Sequence, residues 1–121
     1  GFVFDVSYYP DNMELMIASD MLISDYSGIF FEYGVQDKPM FCFAYDYEQY
    51  VKVRGLYFDI REIIPGGLLN EEDLLSYVKS CTYNLVKEQI EQFRKMYVAE
   101  YGQATAICLN TIYENINHET K

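Results

Sequence analysis

Met21-Leu22-Ile23-Ser24-Asp25-Tyr26-Ser27-Gly28-Ile29-Phe30-Phe31-Glu32-Tyr33 decides the fold. A short apolar run breaks into five small or polar residues, then resumes with aromatic and aliphatic residues at helical spacing. That order predicts a buried strand over 21–23, a tight turn over 24–28 and a helix over 28–36. Ile29, Phe30, Tyr33 and Val35 are expected to face the sheet. A turn between strand and helix gathers backbone N–H groups at the positive end of the helix dipole, where a phosphate is favoured. Ser24, Asp25 and Ser27 are equally ordinary helix caps, and the turn alone does not choose between cap and cradle.

Outward from this stretch, residues 2–6 run apolar and read as another strand. Pro10-Asp11-Asn12 opens a helix over 13–18, with Asp11 or Asn12 as its cap. Asp37-Lys38-Pro39 stops the helix after the turn, because the residue before a proline avoids helical geometry, and 40–44 reads as a third strand. Asp46 caps a short helix over 47–52, residues 54–58 form an aromatic loop or short strand, and Ile63-Ile64-Pro65-Gly66-Gly67 is a turn. Asn70 to Asp73 cap and charge a helix from 71 to about 81. Leu85, Val86, Ile90, Phe93 and Tyr97 set a helix over 84–97. After Gly102, a last helix carries Ala104, Ile107, Cys108, Ile112 and Ile116 on one face.

Strands joined by helices predict parallel strands and right-handed crossovers. The fold class is α/β: a partial doubly wound, Rossmann-like parallel sheet ending in helices, with 1–121 as a single domain. Three strands make about half of such a sheet, and Gly1-Phe2-Val3 begins inside a strand without Met, as expected for a piece of a longer polypeptide. Ligands of these sheets bind beyond the carboxyl ends of the strands. Both 24–28 and 45–47 follow such ends, and the loop bearing Arg54 is placed to fold over the same rim.

Half the residues are hydrophobic, with 13 Tyr and 8 Phe, which excludes disorder over most of the length. No window is long enough to span a membrane. The formal net charge of −10 argues against a nucleic-acid partner and against a direct grip on an anionic membrane. Residues 1–37 hold seven acids and no Lys or Arg. A phosphate at the turn must therefore rely on amides, hydroxyls, a divalent ion or cations brought in by folding, of which Lys38, Lys52 and Arg54 are nearest. Cys42, Cys81 and Cys108 are widely spaced, without a Cys/His pattern; Cys42 and Cys108 read as small buried hydrophobes in a reducing compartment. No metal or cofactor is called for. His118, in the polar tail, reads as a solvated terminal residue rather than a general base.

The motifs in order are Ser24-Asp25-Tyr26-Ser27-Gly28, Glu32, Asp37-Lys38-Pro39, Arg54-Gly55-Leu56-Tyr57-Phe58-Asp59, Pro65-Gly66 and Gly102-Gln103-Ala104. Over nearly the whole chain this series resembles the C-terminal part of the CDP-glycerol:poly(glycerol phosphate) glycerophosphotransferases, which build teichoic acids. Two positions depart from the family pattern: Gly28 stands where a second Ser is usual, and Tyr101 where an Asp is usual. The resemblance implies the C-terminal part of the nucleotide-binding domain of a GT-B-type glycosyltransferase fold. It also implies a donor-nucleotide-binding role in moving glycerol phosphate from CDP-glycerol to a teichoic acid or capsule polymer, with release of CMP. The family's catalytic histidines lie upstream of this segment, so the chain alone is expected to be inactive, and the acceptor is expected to bind through other regions. The parent protein is expected in the cytoplasm, peripheral at the inner face of the membrane.

On the same resemblance, Ser24, Asp25, Tyr26, Ser27, Gly28, Glu32, Arg54 and Gly55 are the substrate-binding candidates. A guanidinium at Arg54 can grip a pyrophosphate with two prongs and stabilise charge leaving with CMP. Glu32 reads either as a ribose-hydroxyl ligand or as an exposed helical acid, and Asp25 as an orienting group, a metal ligand or a cap. Tyr45, Tyr47, Tyr50 and Tyr57 stand open between stacking a cytosine and packing the core. Competing readings are a transferase of the same fold using another activated alditol phosphate or sugar nucleotide, a receiver-like signalling module, and a non-catalytic interaction module. Lys38-Pro39 precedes a strand instead of ending one, which weakens the receiver reading.

Overall fold

The computed structural model describes residues 1–64, 66–68, 70–80, 83–100 and 102–119. Pro65, Cys81 and Tyr101 lie outside the described residues, as do the side chains of Leu85 and His118.

Helix α1 (Asn12–Ala18) starts where the Asp11 carboxylate accepts the amides of Met13 at 2.8 Å and Glu14 at 3.3 Å. Those are two of the donors that a helix start leaves unpaired. Strand β1 (Leu22–Ser24) leads through the 24–28 turn into helix α2 (Ile29–Tyr33). Strand β2 (Met40–Phe43) follows, then helix α3 (Tyr47–Val53), helix α4 (Ile60–Ile63) and strand β3 (Gly66–Leu68). The rest is helical: α5 (Glu71–Ser80), α6 (Tyr83–Tyr97) and α7 (Ala104–Glu119). Asn70 caps α5 as expected, its Oδ1 accepting the Asp73 amide at 2.9 Å.

The sheet runs β1-β2-β3, and both pairings are parallel. Leu22 stands opposite Met40, Ile23 opposite Phe41 and Ser24 opposite Cys42. On the other side Cys42 faces Gly66 and Phe43 faces Leu68, with a shift of register between them. Being central, β2 is covered on both faces: Met40, Phe41 and Cys42 are all buried. Around it pack Phe30 and Tyr33 of α2, Ile60 and Ile64, Leu74 of α5, and Val86, Ile90 and Phe93 of α6. Removing a side chain of this size from water contributes about 1.5–3 kcal/mol. The buried Tyr33 hydroxyl is satisfied by Ser19, donating to its carbonyl at 3.4 Å and accepting from its Oγ at 3.3 Å.

Several expectations change. Residues 2–6 pair with no strand among the described residues and are exposed, Phe2 at 99%: apolar character alone does not make a strand. β1 lies at an edge of the sheet, and Met21 and Ile23 are exposed rather than buried. The helix after the turn stops at Gly34, short of 36: a Cβ there would stand 2.6 Å from the Phe93 ring, so α6 requires a glycine at that point. The last helix forms, but Ile107, Ile112 and Ile116 are exposed, and so is Cys108, expected to be buried. Its spacing encoded a helix, not a partner for its face. No helix among the described residues is long and apolar enough to cross a membrane.

The segment read as a turn over 63–67 holds β3. Gly66 and Gly67 have no side chains to alternate, so the usual mark of a strand is missing. The pairing itself demands the glycine. Gly66 has φ +98°, and a Cβ on it would lie 2.8 Å from the Cys42 carbonyl oxygen. Gly66→Ala is therefore expected to lower unfolding free energy by about 2 kcal/mol or more. Gly28, with φ −62° and nothing within 4 Å of an added Cβ, should accept Ala with no loss. Urea unfolding of both variants checks the contrast; equal midpoints would remove the constraint assigned to Gly66.

Candidate functional site

Two loops leave the carboxyl ends of β1 and β2 on the same rim, and Tyr26 ties them together. Its hydroxyl donates to Asp46 Oδ1 at 2.9 Å, and its ring stacks on Tyr50 with centroids 3.9 Å apart. Burial, with Asp46 adding to it, pushes the Tyr26 phenol far above the usual tyrosine range, so it stays a hydrogen-bond donor. Asp46, expected to cap α3 with its side chain, instead receives Tyr26 and makes no cap hydrogen bond. Cys42, at the end of β2, donates to the Asp25 carbonyl at 3.6 Å. Burial and the neighbouring Asp25 charge push its thiol up to about 11, which leaves it neutral and unreactive at pH 7.

Within the turn, Ser27 Oγ accepts the Ile29 amide at 3.2 Å. That contact is the capping role, and it leaves the Ser27 hydroxyl proton available to donate. Helix α2 has only five residues, so its dipole is short. Ser24 is half-buried, while Asp25, Gly28 and Glu32 are exposed. The Asp25 and Glu32 carboxylates make no hydrogen bond or ion pair with a described residue.

The cations distribute differently from their order in the sequence. Lys38 is not near the turn: its Nζ donates to the carbonyls of Ile17 at 2.6 Å and Ser19 at 2.8 Å, closing the C-terminal end of α1. A cation there opposes the negative end of the dipole. It precedes β2 and so belongs to the opposite rim of the sheet. Lys52 instead lines an open groove of about 510 Å³ with Tyr45, Asp46, Tyr47, Gln49 and Arg61. Arg54 is exposed, with no side-chain partner among the described residues, and lines a separate depression with Gly55, Leu56 and Tyr57. Gly55, at φ +71°, turns the chain directly after α3.

Of the tyrosines open to a base, Tyr50 has a face on Tyr26 and Tyr47 has a face under Arg61. Tyr45 tilts against Phe43 yet stays exposed, and Tyr57 is fully exposed.

Arg61 was not singled out from the sequence. Its guanidinium grips both Asp59 oxygens, Nε to Oδ1 at 2.9 Å and Nη2 to Oδ2 at 2.6 Å, and its Cζ lies 3.5 Å from the centroid of the Tyr47 ring. Asp59 also accepts the Arg61 amide at 2.9 Å, capping α4. The Arg61 hydrogen bonds hold the Asp59 carboxyl down at about 2. Asp-x-Arg at a helix start was the available signal: a cap followed by a cation two residues on.

Comparison with known proteins gives one consistent answer. Residues 1–114 match the family described as CDP-Glycerol:Poly(glycerophosphate) glycerophosphotransferase. The chain is 46% identical to a teichoic acid poly(glycerol phosphate) polymerase of Staphylococcus epidermidis, over 98% of this chain and 17% of that protein. It is 40% identical to a teichoic acid poly(ribitol-phosphate) polymerase of Bacillus spizizenii, over 76% of this chain and 15% of that protein. The solved wall teichoic acid polymerase TagF superposes with a TM-score of 0.73 at 32% identity, covering 98% of this chain and 30% of that one. A TagF variant soaked with CDPG superposes at 0.70. The chain thus spans less than a third of the length of these relatives.

The Asp59 pair sets a pH window. The fold lowers the Asp59 value below the roughly 3.9 of an unfolded aspartate, so its contribution is present above about pH 4 and lost as pH falls through about 2. Asp59→Asn keeps a capping side chain but loses the charge. It should cost about 1 kcal/mol at pH 7, allowing for partial exposure, and progressively less between pH 4 and 2. Urea midpoints across that range test it; a pH-independent difference would mean that ionised Asp59 contributes nothing.

Proposed function

Because this chain belongs to the CDP-glycerol:poly(glycerophosphate) glycerophosphotransferase family, we propose that it is the donor-nucleotide-binding part of a transferase. That enzyme moves glycerol phosphate from CDP-glycerol to a teichoic acid polymer and releases CMP. One observation carries the assignment: the 24–28 turn and the loop after β2 meet through Tyr26, Asp46 and Tyr50 at the carboxyl rim of a parallel sheet. Open parallel sheets bind their ligands at that rim. Residues 1–121 act in this reading as one domain of a longer polypeptide, cytoplasmic and peripheral at the inner face of the membrane.

In the reaction, an acceptor hydroxyl attacks the phosphorus of the glycerol phosphate. A P–O bond forms there, the anhydride bond breaks, and CMP leaves with the electron pair. The acceptor proton passes to a base outside this chain. Phosphoryl transfer of this kind needs positioning and charge neutralisation more than covalent help from the protein. The amides of 25–28 and the hydroxyls of Ser24 and Ser27 hold phosphate oxygens, with Gly28 letting the phosphate approach the backbone. Glu32 takes a ribose hydroxyl, Arg54 the pyrophosphate, and Gly55 sets the approach of the Arg54 loop. Asp25 and Tyr26 orient the turn, in keeping with Tyr26 already holding Asp46.

A second donor has one observation in its favour. The 40% identity to a poly(ribitol-phosphate) polymerase is compatible with a ribitol phosphate donor on the same rim.

Titrating the chain with CDP-glycerol should shift the amide resonances of 25–28 before those of α6 and α7; shifts elsewhere with these unmoved at millimolar ligand would refute the site. The chain alone should release no CMP from CDP-glycerol and a lipid-linked acceptor. In the complete transferase, Arg54→Lys keeps the charge but loses the planar fork, and the rate should fall about 10²–10³-fold with thermal stability unchanged. Full activity in Arg54→Ala would make Arg54 a bystander.

A further inference from the structure

Arg54 and Tyr57 project into solvent from a loop that has little of its own to hold it. Between Gly55 and Phe58 no backbone hydrogen bond forms beyond that of the Gly55 amide to the Val51 carbonyl at 3.0 Å, among the described residues. Its start is fixed by the end of α3, where the Arg54 amide donates to the Tyr50 carbonyl at 2.8 Å. Its end is fixed twice. Phe58 packs on Phe31 and Tyr97, and Asp59 is held by both prongs of Arg61.

Arg61 also reaches back to the start of α3, lying 3.5 Å over the Tyr47 ring. It therefore braces the helix that leads into the loop against the residue that leaves it. The base of the brace is held close to the sheet: a Cβ on Gly67 would stand 2.6 Å from the Arg61 Cβ, so β3 needs a glycine where it passes the start of α4. Arg61 lines the open groove beside Lys52, but its Nε and Nη2 are already committed to Asp59 and its face to Tyr47.

We propose that Arg61 is a positioning residue, which fixes the pose of the Arg54–Tyr57 loop through Asp59 and Tyr47 without touching the ligand. The tie to donor binding rests on the function proposed above; the bracing of the loop does not. A lysine keeps the charge and loses both the two-pronged grip and the planar stack.

Two measurements on the 121-residue chain decide it. In the free chain, backbone order parameters of residues 55–57 should fall from about 0.8 to below about 0.6 in Arg61→Lys, while those of α6 stay put. Asp59→Asn, which retains a cap for α4, should do the same and guards against a folding defect peculiar to Arg61→Lys. Unchanged values at 55–57, or an equal fall throughout, would overturn the proposal. In CDP-glycerol titrations, Arg61→Lys should weaken affinity roughly tenfold in the native background and not at all in Arg54→Ala, since positions acting through one another are not additive. An equal loss in both backgrounds would make Arg61 a direct ligand and overturn the proposal. If the native chain binds no CDP-glycerol, the proposed function fails, and the order parameters alone judge the brace.

Discussion

Parallel pairing on both sides of β2 is the constraint on which the rest of the structure depends. A parallel sheet leaves no strand end free to turn back as a hairpin, so every connection between strands must cross over a face. The crossover from β1 to β2 places Phe30 and Tyr33 of α2 on the central strand, and α5 and α6, which follow β3, add Leu74 and the Val86, Ile90 and Phe93 row to the same core. The third strand joins only because Gly66 lets its backbone approach Cys42 more closely than a side chain would permit. With β3 in place, Gly67 comes against the Arg61 Cβ, which sets β3 close to the start of α4.

The rim shows how an acidic chain arranges its few cations. Lys38 neutralises a helix end on the far side, Arg61 is matched to Asp59, and Arg54 remains exposed on its loop. Local pairing thus removes two of the four cations Lys38, Lys52, Arg54 and Arg61 from competition for an anionic ligand. The aromatic residues divide in the same way. Tyr26, Tyr47 and Tyr50 join the loops to one another, while Tyr45 and Tyr57 keep exposed faces. Tyr26 thereby joins the turn to α3.

Legibility followed the range of the interaction behind each signal. Caps act within four residues, and Asp11 at α1 and Asn70 at α5 could be read directly. Periodic apolar spacing marked α6 and its buried Val86, Ile90 and Phe93, as well as β2 with its uninterrupted apolar run. The same spacing marked α7 as a helix and wrongly implied a covered face, because periodicity reports an amphipathic surface and not what lies against it. Residues 2–6 failed similarly: strand propensity does not by itself bring a segment to a sheet. Asp46 looked like a cap for α3 until tertiary contact gave it Tyr26.

What the sequence determined by itself is the class of the fold, the parallel order of its crossovers, the helices set by caps and spacing, and the family, whose motifs stand in order along the chain. Each depends on composition and on neighbours close along the backbone. Only the tertiary structure decided that Gly66 and Gly67 form a strand, that Lys38 closes α1, and that Arg61 joins Asp59 to Tyr47. Those contacts link residues whose spacing carries no period. A glycine strand and a guanidinium stacked on Tyr47 are defined by what approaches them in space, and the order of residues records only the local Asp59–Arg61 part of that approach.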